Sequence, residues 1–137
     1  LAKTVLDSSA TASQQQLGSK GAASLSPPGA QSKVLVRHQL STSAQEMTAL
    51  CQALYDEAEW LIEASGEVDS AIYGNVLQSR KLVPVKGVGE LFSGMYYLTN
   101  VKHIFNVERY TQQFKARRNA MESNPSDFGG GGLSLPF

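Results

Sequence analysis

"GVGELFSGMYYLTNVKHIF", residues 87–105, decides the fold, because it begins like a phosphate-binding loop and ends like a β-strand. A Walker loop needs Lys and then Ser or Thr after its second glycine, whereas Met95 and Tyr96 follow Gly94. The dinucleotide fingerprint fails as well, since its glycines must lie between a strand and a helix. We therefore interpret these glycines as turn residues and expect no nucleotide and no other cofactor.

The second half of this stretch predicts a long strand, because residues 95–105 lack Pro and Gly and are rich in aromatic and β-branched types. Strict alternation gives two faces that both carry apolar side chains. One face would hold Tyr97, Thr99, Val101, His103 and Phe105, and the other Tyr96, Leu98, Asn100, Lys102 and Ile104. The turn "NVER" (106–109) and the returning "YTQQFKARR" (110–118) predict a β-hairpin.

Apolar residues on both faces of one strand suggest that one face meets the core and the other meets a partner. The candidate interface residues are Tyr96, Tyr97, Val101, Phe105 and Arg117. Alternation places Lys115 and Arg117 on the strand face opposite that of Phe114, so these basic side chains are expected to be solvated on the outer face. For that reason we expect no nucleic-acid binding.

Further elements are predicted on the N-terminal side of this hairpin. Ser43 and Glu46 have the spacing of a capping box, which predicts the start of a helix. An apolar stripe follows and predicts a core-facing side, formed by Met47, Leu50, Cys51, Leu54, Ala58 and Leu61. Strands are predicted near residues 34–40, 60–68 and 81–88, the last at an edge or bulge because Pro84 cannot donate to a ladder.

The length of 137 residues fits one modest domain with flexible ends. Residues 7–33 are dominated by Ser, Ala, Gln and Gly, and residues 129–132 are four glycines. We expect residues 1–33 to be a flexible linker or incoming connection, 34–121 the folded domain and 122–137 a flexible tail. No apolar run approaches the roughly 18 residues of a membrane span, so no membrane span is expected.

Charge and chemistry exclude several function classes. Twelve Lys and Arg balance twelve Asp and Glu, although residues 41–70 carry seven acids and no base. The imidazoles, His38 and His103, lie on different predicted strands without a Cys or acid at metal-ligand spacing. Cys51 lies on the apolar stripe, where a thiol packs as a small hydrophobe. We therefore expect no metal, no catalytic residue and no enzymatic activity.

An ordered set of features resembles the C-terminal region of the phage late control D family, the baseplate hub proteins of contractile tails related to the hub half of VgrG-type spikes. The set spans residues 34–121. In order, it comprises the capped helix, an acidic strand with Gly66-Glu67, a strand into Gly87-Val88-Gly89, Phe92-Ser93-Gly94, Tyr96-Tyr97-x-Thr99, Val101-x-His103, and Tyr110-Thr111 running to Arg117-Arg118-Asn119.

The resemblance implies an α+β fold, mainly an antiparallel β-barrel of the tail-tube type decorated by one amphipathic helix. It implies a structural hub component that joins the tail tube to the spike, with a homo-oligomer, a trimer in the full-length form, and tube and spike proteins as partners. The location would be the bacterial cytoplasm during assembly and then the baseplate of a virion or injection system. A complete hub is much longer, so only its second barrel region is expected here.

Two other classes stay open from the sequence. A carbohydrate- or peptide-binding β-module would need exposed aromatic residues on one face, such as Tyr96 or Trp60 in a concave patch. A small hydrolase would need a pocket with convergent titratable groups.

Overall fold

The computed structural model of the chain describes residues 14–25, 27, 28, 35, 43–128, 133 and 134. These residues form a mixed α/β fold with mostly antiparallel strands, a sheet curled into a half-barrel, and few helices. In chain order the elements are β1 (Lys20–Gly21), α1 (Ala22–Leu25), α2 (Ala44–Ala58), β2 (Ile62–Asp69), α3 (Ser70–Tyr73), β3 (Leu82–Lys86), β4 (Gly94–Phe105), β5 (Tyr110–Arg118), β6 (Ala120–Met121) and β7 (Leu133–Ser134). Within the described part of the chain, none of the helices has the length and apolar character that crossing a membrane requires.

Helix α2 begins where the capping box predicts. The Ser43 hydroxyl accepts a hydrogen bond from the Glu46 N–H at 3.2 Å. The core-facing stripe, however, was a wrong prediction, because no residue of α2 is buried and Leu54 is 44% exposed. The helix meets the sheet at its C-terminal end, where Glu57 pairs with Arg117. The apolar stripe therefore does not form part of the buried core.

The main sheet has the order β2-β5-β4-β3-β7, and its central strands are the predicted hairpin. All neighbours are antiparallel except β3 and β7. The edge position expected for Pro84 is corrected, since β3 has β4 on one side and β7 on the other. The β7 ladder involves Val85 and Lys86, so it requires no donor at Pro84. The predicted strand 34–40 lies outside the described residues except for Leu35, which is exposed and in no strand.

A β-bulge in β4 overturns the strict alternation predicted for that strand. Leu98 lies opposite Ala116 and Asn100 opposite Lys115, so Thr99 is an extra residue. Beyond the bulge the faces are exchanged relative to the prediction. Tyr96, Leu98, Val101, His103 and Phe105 share one face, while Tyr97, Asn100, Lys102 and Ile104 share the other.

The core lies on the face that carries Tyr96 and Leu98. It contains Ile62, Val68, Leu77, Val83, Val85, Tyr96, Leu98, Phe114 and Ala116. Gly66 of β2 lies opposite Phe114, and a Cβ at this glycine would come within 2.9 Å of the Phe114 ring. The glycine therefore allows the aromatic ring to lie across the strand.

A buried glutamine closes one end of this core. Gln112 is fully buried, accepts a hydrogen bond from the Leu77 N–H at 2.6 Å, and donates to Ser70 Oγ at 2.9 Å and Asn75 O at 2.8 Å. Buried polar groups are costly unless they are hydrogen-bonded. The three bonds therefore hold the segment after α3 against the sheet.

Candidate functional site

The predicted interface residues do not form one surface. Tyr96 is 2% exposed and belongs to the core, with its hydroxyl donating to Phe92 O at 2.7 Å. Tyr96 is therefore corrected from an interface residue to a core residue, because it shares the face of Leu98. The Thr99 bulge puts Val101 and Phe105 on this same face and leaves Tyr97 and Arg117 on the opposite one.

The end of the β4–β5 hairpin, residues 103–110, presents an aromatic surface away from the core. Phe105 is 73% exposed and stacks on Tyr110 with ring centroids 4.3 Å apart and planes 9° apart. The Tyr110 hydroxyl lies 2.6 Å from His103 Nδ1, which fixes the second ring. Val107, in the turn, is fully exposed. The hairpin end thus combines a preorganised aromatic pair with an apolar tip, features that usually mark an interaction site.

A second aromatic group, the Trp60 cluster (Trp60, Tyr97, Arg117 and Glu57), lies on the other face. The Trp60 and Tyr97 ring centroids are 5.8 Å apart, and Arg117 Cζ is 4.6 Å from the Trp60 centroid. Arg117 Nη1 donates to Glu57 Oε1 at 2.8 Å. Trp60 is half-buried under these contacts, and so it does not form the exposed concave patch that a carbohydrate- or peptide-binding module would need.

Glu59, beside this cluster, is an ionisable group in a desolvated position. Its side chain is buried, and Oε2 has no hydrogen-bond partner. Burial raises the pKa of the Glu59 carboxyl, and the charge of Asp56 raises it further. The ionised carboxylate is therefore less favourable here than in water.

The third group was not predicted as a site, and it lies where residues 15–21 meet residues 118–122. Arg118 is fully buried and uses its guanidinium to bind three main-chain carbonyls. Nε and Nη2 donate to Leu17 O at 3.2 and 3.0 Å, Nη1 donates to Ser93 O at 3.0 Å, and Nη2 also donates to Glu122 O at 2.5 Å. Burial lowers the pKa of the guanidinium, partly opposed by Tyr96, whose ring lies 5.5 Å away.

Asn119 and Glu122 extend this group, which we call the clasp (Arg118, Asn119 and Glu122). Asn119 Oδ1 accepts from the Leu17 N–H and Asn119 Nδ2 donates to Gln15 O, both at 2.9 Å. Glu122 O accepts from the Ser19 N–H at 3.3 Å, and its carboxylate pairs with Lys20 at 2.6 Å. The hydrogen bond from Lys20 lowers the pKa of the Glu122 carboxyl, and the same pair raises the pKa of Lys20.

The ligand of the clasp is the N-terminal segment, residues 15–21, which lies within the range expected to be a linker. Its Leu17 is 6% exposed, and β1 at its end pairs with β6, Lys20 opposite Met121. The linker expectation did not include these contacts, because a single large apolar residue in a Ser- and Gln-rich stretch gives no periodic signal. The strand alternation did contain a clue, since Phe114, Ala116 and Arg118 fall on one face of β5.

Surface depressions and metal-ligand geometry complete the candidate sites. One surface depression, about 480 Å³, is lined by the neutral residues Ala44, Gln45, Thr48, Ala49 and Gln52. Another, about 370 Å³, lies beside β3 and includes Tyr73, Lys81 and Pro84. Within the described part of the chain, no three His, Cys, Asp or Glu side chains are grouped to hold a metal ion.

Comparison with models of protein families, with curated proteins and with solved structures found no match for this chain.

Proposed function

We propose that the chain is a structural component of a baseplate hub, in a phage contractile tail or a bacterial contractile injection system, where it helps to join the tail tube to the spike. The observation that carries the proposal is the antiparallel half-barrel. The strands of the resemblance lie in it side by side, with β4 and β5 at its centre. In this proposal the half-barrel belongs to a complete barrel of the tail-tube type.

The edge of the sheet supports an assembly role. Strand β2 is eight residues long, and β5 is its one neighbour among the described strands. An edge strand of this length offers main-chain donors and acceptors to a further strand. In an assembled hub, that strand would come from the rest of the hub or from a neighbouring subunit.

The hairpin end provides the second support. Phe105 and Val107 are exposed, and the turn also exposes the charged residues Glu108 and Arg109. This combination fits an apolar pocket with a polar rim on a tube or spike subunit. Symmetry matching between ring-shaped subunits requires shape and edge pairing and no bond chemistry.

The test is co-expression of the chain's full gene product with the tube and spike proteins encoded beside it. We expect the three to co-purify. Phe105→Ser should weaken the complex about tenfold or more, because it removes an exposed aromatic anchor. Leu91→Ser, at an exposed apolar residue beyond the opposite end of β4 from Phe105, is the matched control and should leave the complex unchanged. A genome without neighbouring sheath, tube and spike genes, or a chain that never co-purifies with their products, would overturn the proposal.

A further inference from the structure

The N-terminal segment is held as peptide ligands are held, through its main chain. Leu17 offers its N–H to Asn119 and its carbonyl to Arg118, and Gln15 offers its carbonyl to Asn119. With the segment in place, the Arg118 and Asn119 side chains are at least nine-tenths buried. Without it, Asn119 would lose both of these bonds and Arg118 would lose the carbonyl of Leu17. The clasp is therefore built around a chain segment that lies about 100 residues away in sequence.

We propose that the clasp is a peptide-binding site for a segment with a large apolar residue followed by glycine, and that residues 15–21 of a second copy of this chain can occupy it in exchange for the chain's own segment.

The requirement for glycine follows from the space around Gly18. A Cβ there would lie 2.6 Å from both Arg118 Nη2 and Met121 O and would overlap with Glu122 O. The neighbouring contacts add selectivity, since Leu17 is buried and Lys20 meets the Glu122 carboxylate. The clasp should therefore distinguish Leu-Gly-Ser-Lys from a sequence with any side chain in place of the glycine.

Exchange between copies is allowed by the length of the connection. Residues 26–43 join α1 to α2, and a stretch of this length can span up to about 60 Å when extended. Exchange of an identical segment between copies creates the same contacts in both, so it requires no new interface. A second copy is thus the occupant whose chemistry the clasp already fits.

The experiment uses the full chain with a protease site inserted between Gly29 and Ala30. After cleavage, the N-terminal piece should remain bound on gel filtration. A fluorescein-labelled peptide of residues 14–22, which represents the segment of a second copy, should then replace the piece and give a saturable rise in anisotropy. The same peptide with Gly18→Val should bind at least about 100-fold more weakly, because the side chain overlaps main-chain atoms.

A substitution within the clasp gives the second arm of the test. Asn119→Ala in the cleaved chain removes the two hydrogen bonds that Asn119 makes to the segment. It should weaken peptide binding about tenfold or more. Circular dichroism of this variant should show that the sheet persists. Loss of the piece at cleavage without peptide binding would overturn the proposal. So would a piece that a hundredfold excess of peptide cannot displace, or equal binding of the wild-type and Gly18→Val peptides.

Discussion

Replacement of Arg118 by Met tests whether the clasp stabilises the fold. Met keeps an unbranched apolar stem but lacks the guanidinium, so it leaves the carbonyls of Leu17, Ser93 and Glu122 without their shared donor. Leaving a buried acceptor without its donor costs about 1–3 kcal/mol. Relief of the guanidinium desolvation offsets part of the loss at the three carbonyls, so we expect a net loss of about 3 kcal/mol.

The assay is urea unfolding followed by tryptophan fluorescence and circular dichroism, with stability compared at equal m-values. Arg117→Met is the matched control, because Arg117 is the next residue on the same strand and its partner Glu57 is 69% exposed. An exposed ion pair with one cation–π contact should contribute about 1 kcal/mol. Equal losses in the two variants, or a loss below about 1 kcal/mol for Arg118→Met, would refute the reasoning.

Three further predictions follow from burial and charge. Leu98→Ala should lower the free energy of unfolding in urea by about 2–5 kcal/mol, because the side chain is fully buried. Leu82→Ala, at a 43% exposed position, should lower it by less than about 1 kcal/mol. Similar losses in the two variants would contradict the core assignment. Glu59→Gln should raise the melting temperature at pH 7, because the raised pKa of the Glu59 carboxyl means that its ionisation opposes folding. The gain in melting temperature should vanish below about pH 4.3, where the wild-type carboxyl is protonated in both the folded and the unfolded state. A gain that persists at low pH would exclude ionisation of Glu59 as its cause. Glu122→Gln should lower the melting temperature at neutral pH, because the ion pair with Lys20 stabilises only the ionised carboxylate. The variant and the wild type should become equally stable once the pH falls through the lowered pKa of the Glu122 carboxyl. A difference in melting temperature that does not depend on pH would rule out the ion pair as its cause.

Local signals in the sequence were sufficient for the elements whose formation depends on neighbouring residues. The capping box at Ser43 marks the first turn of α2, and the "NVER" turn joins two strands in the register of a hairpin. Both depend on hydrogen bonds over three or four residues, which sequence spacing encodes directly. The aromatic and β-branched content of residues 95–105 was likewise enough to predict β4.

The arrangement between elements depended on information that no local pattern carries. The bulge at Thr99 reverses the faces of half of β4, yet Thr99 is an ordinary strand residue in the sequence. Amphipathic spacing in α2 predicted a buried stripe, whereas the helix contacts the sheet near Glu57. In the sequence Arg118 looks like the neighbouring basic residues Lys115 and Arg117, but its guanidinium is held by carbonyls 101, 25 and 4 residues away along the chain. Of the candidate interface residues, Phe105 is exposed, whereas Tyr96 is buried in the core.

The clasp also sets an order of events during synthesis and folding. Its bond between Leu17 and Asn119 closes a loop of 102 residues, whereas the β4–β5 hairpin closes across a four-residue turn. Closing the longer loop costs more chain entropy, so local pairing precedes it. On the ribosome, the clasp cannot form until Glu122 has left the exit tunnel, and Arg118 remains hydrated until then. The N-terminal segment, which is synthesised about 100 residues earlier, therefore waits without its partners until residues 118–122 emerge.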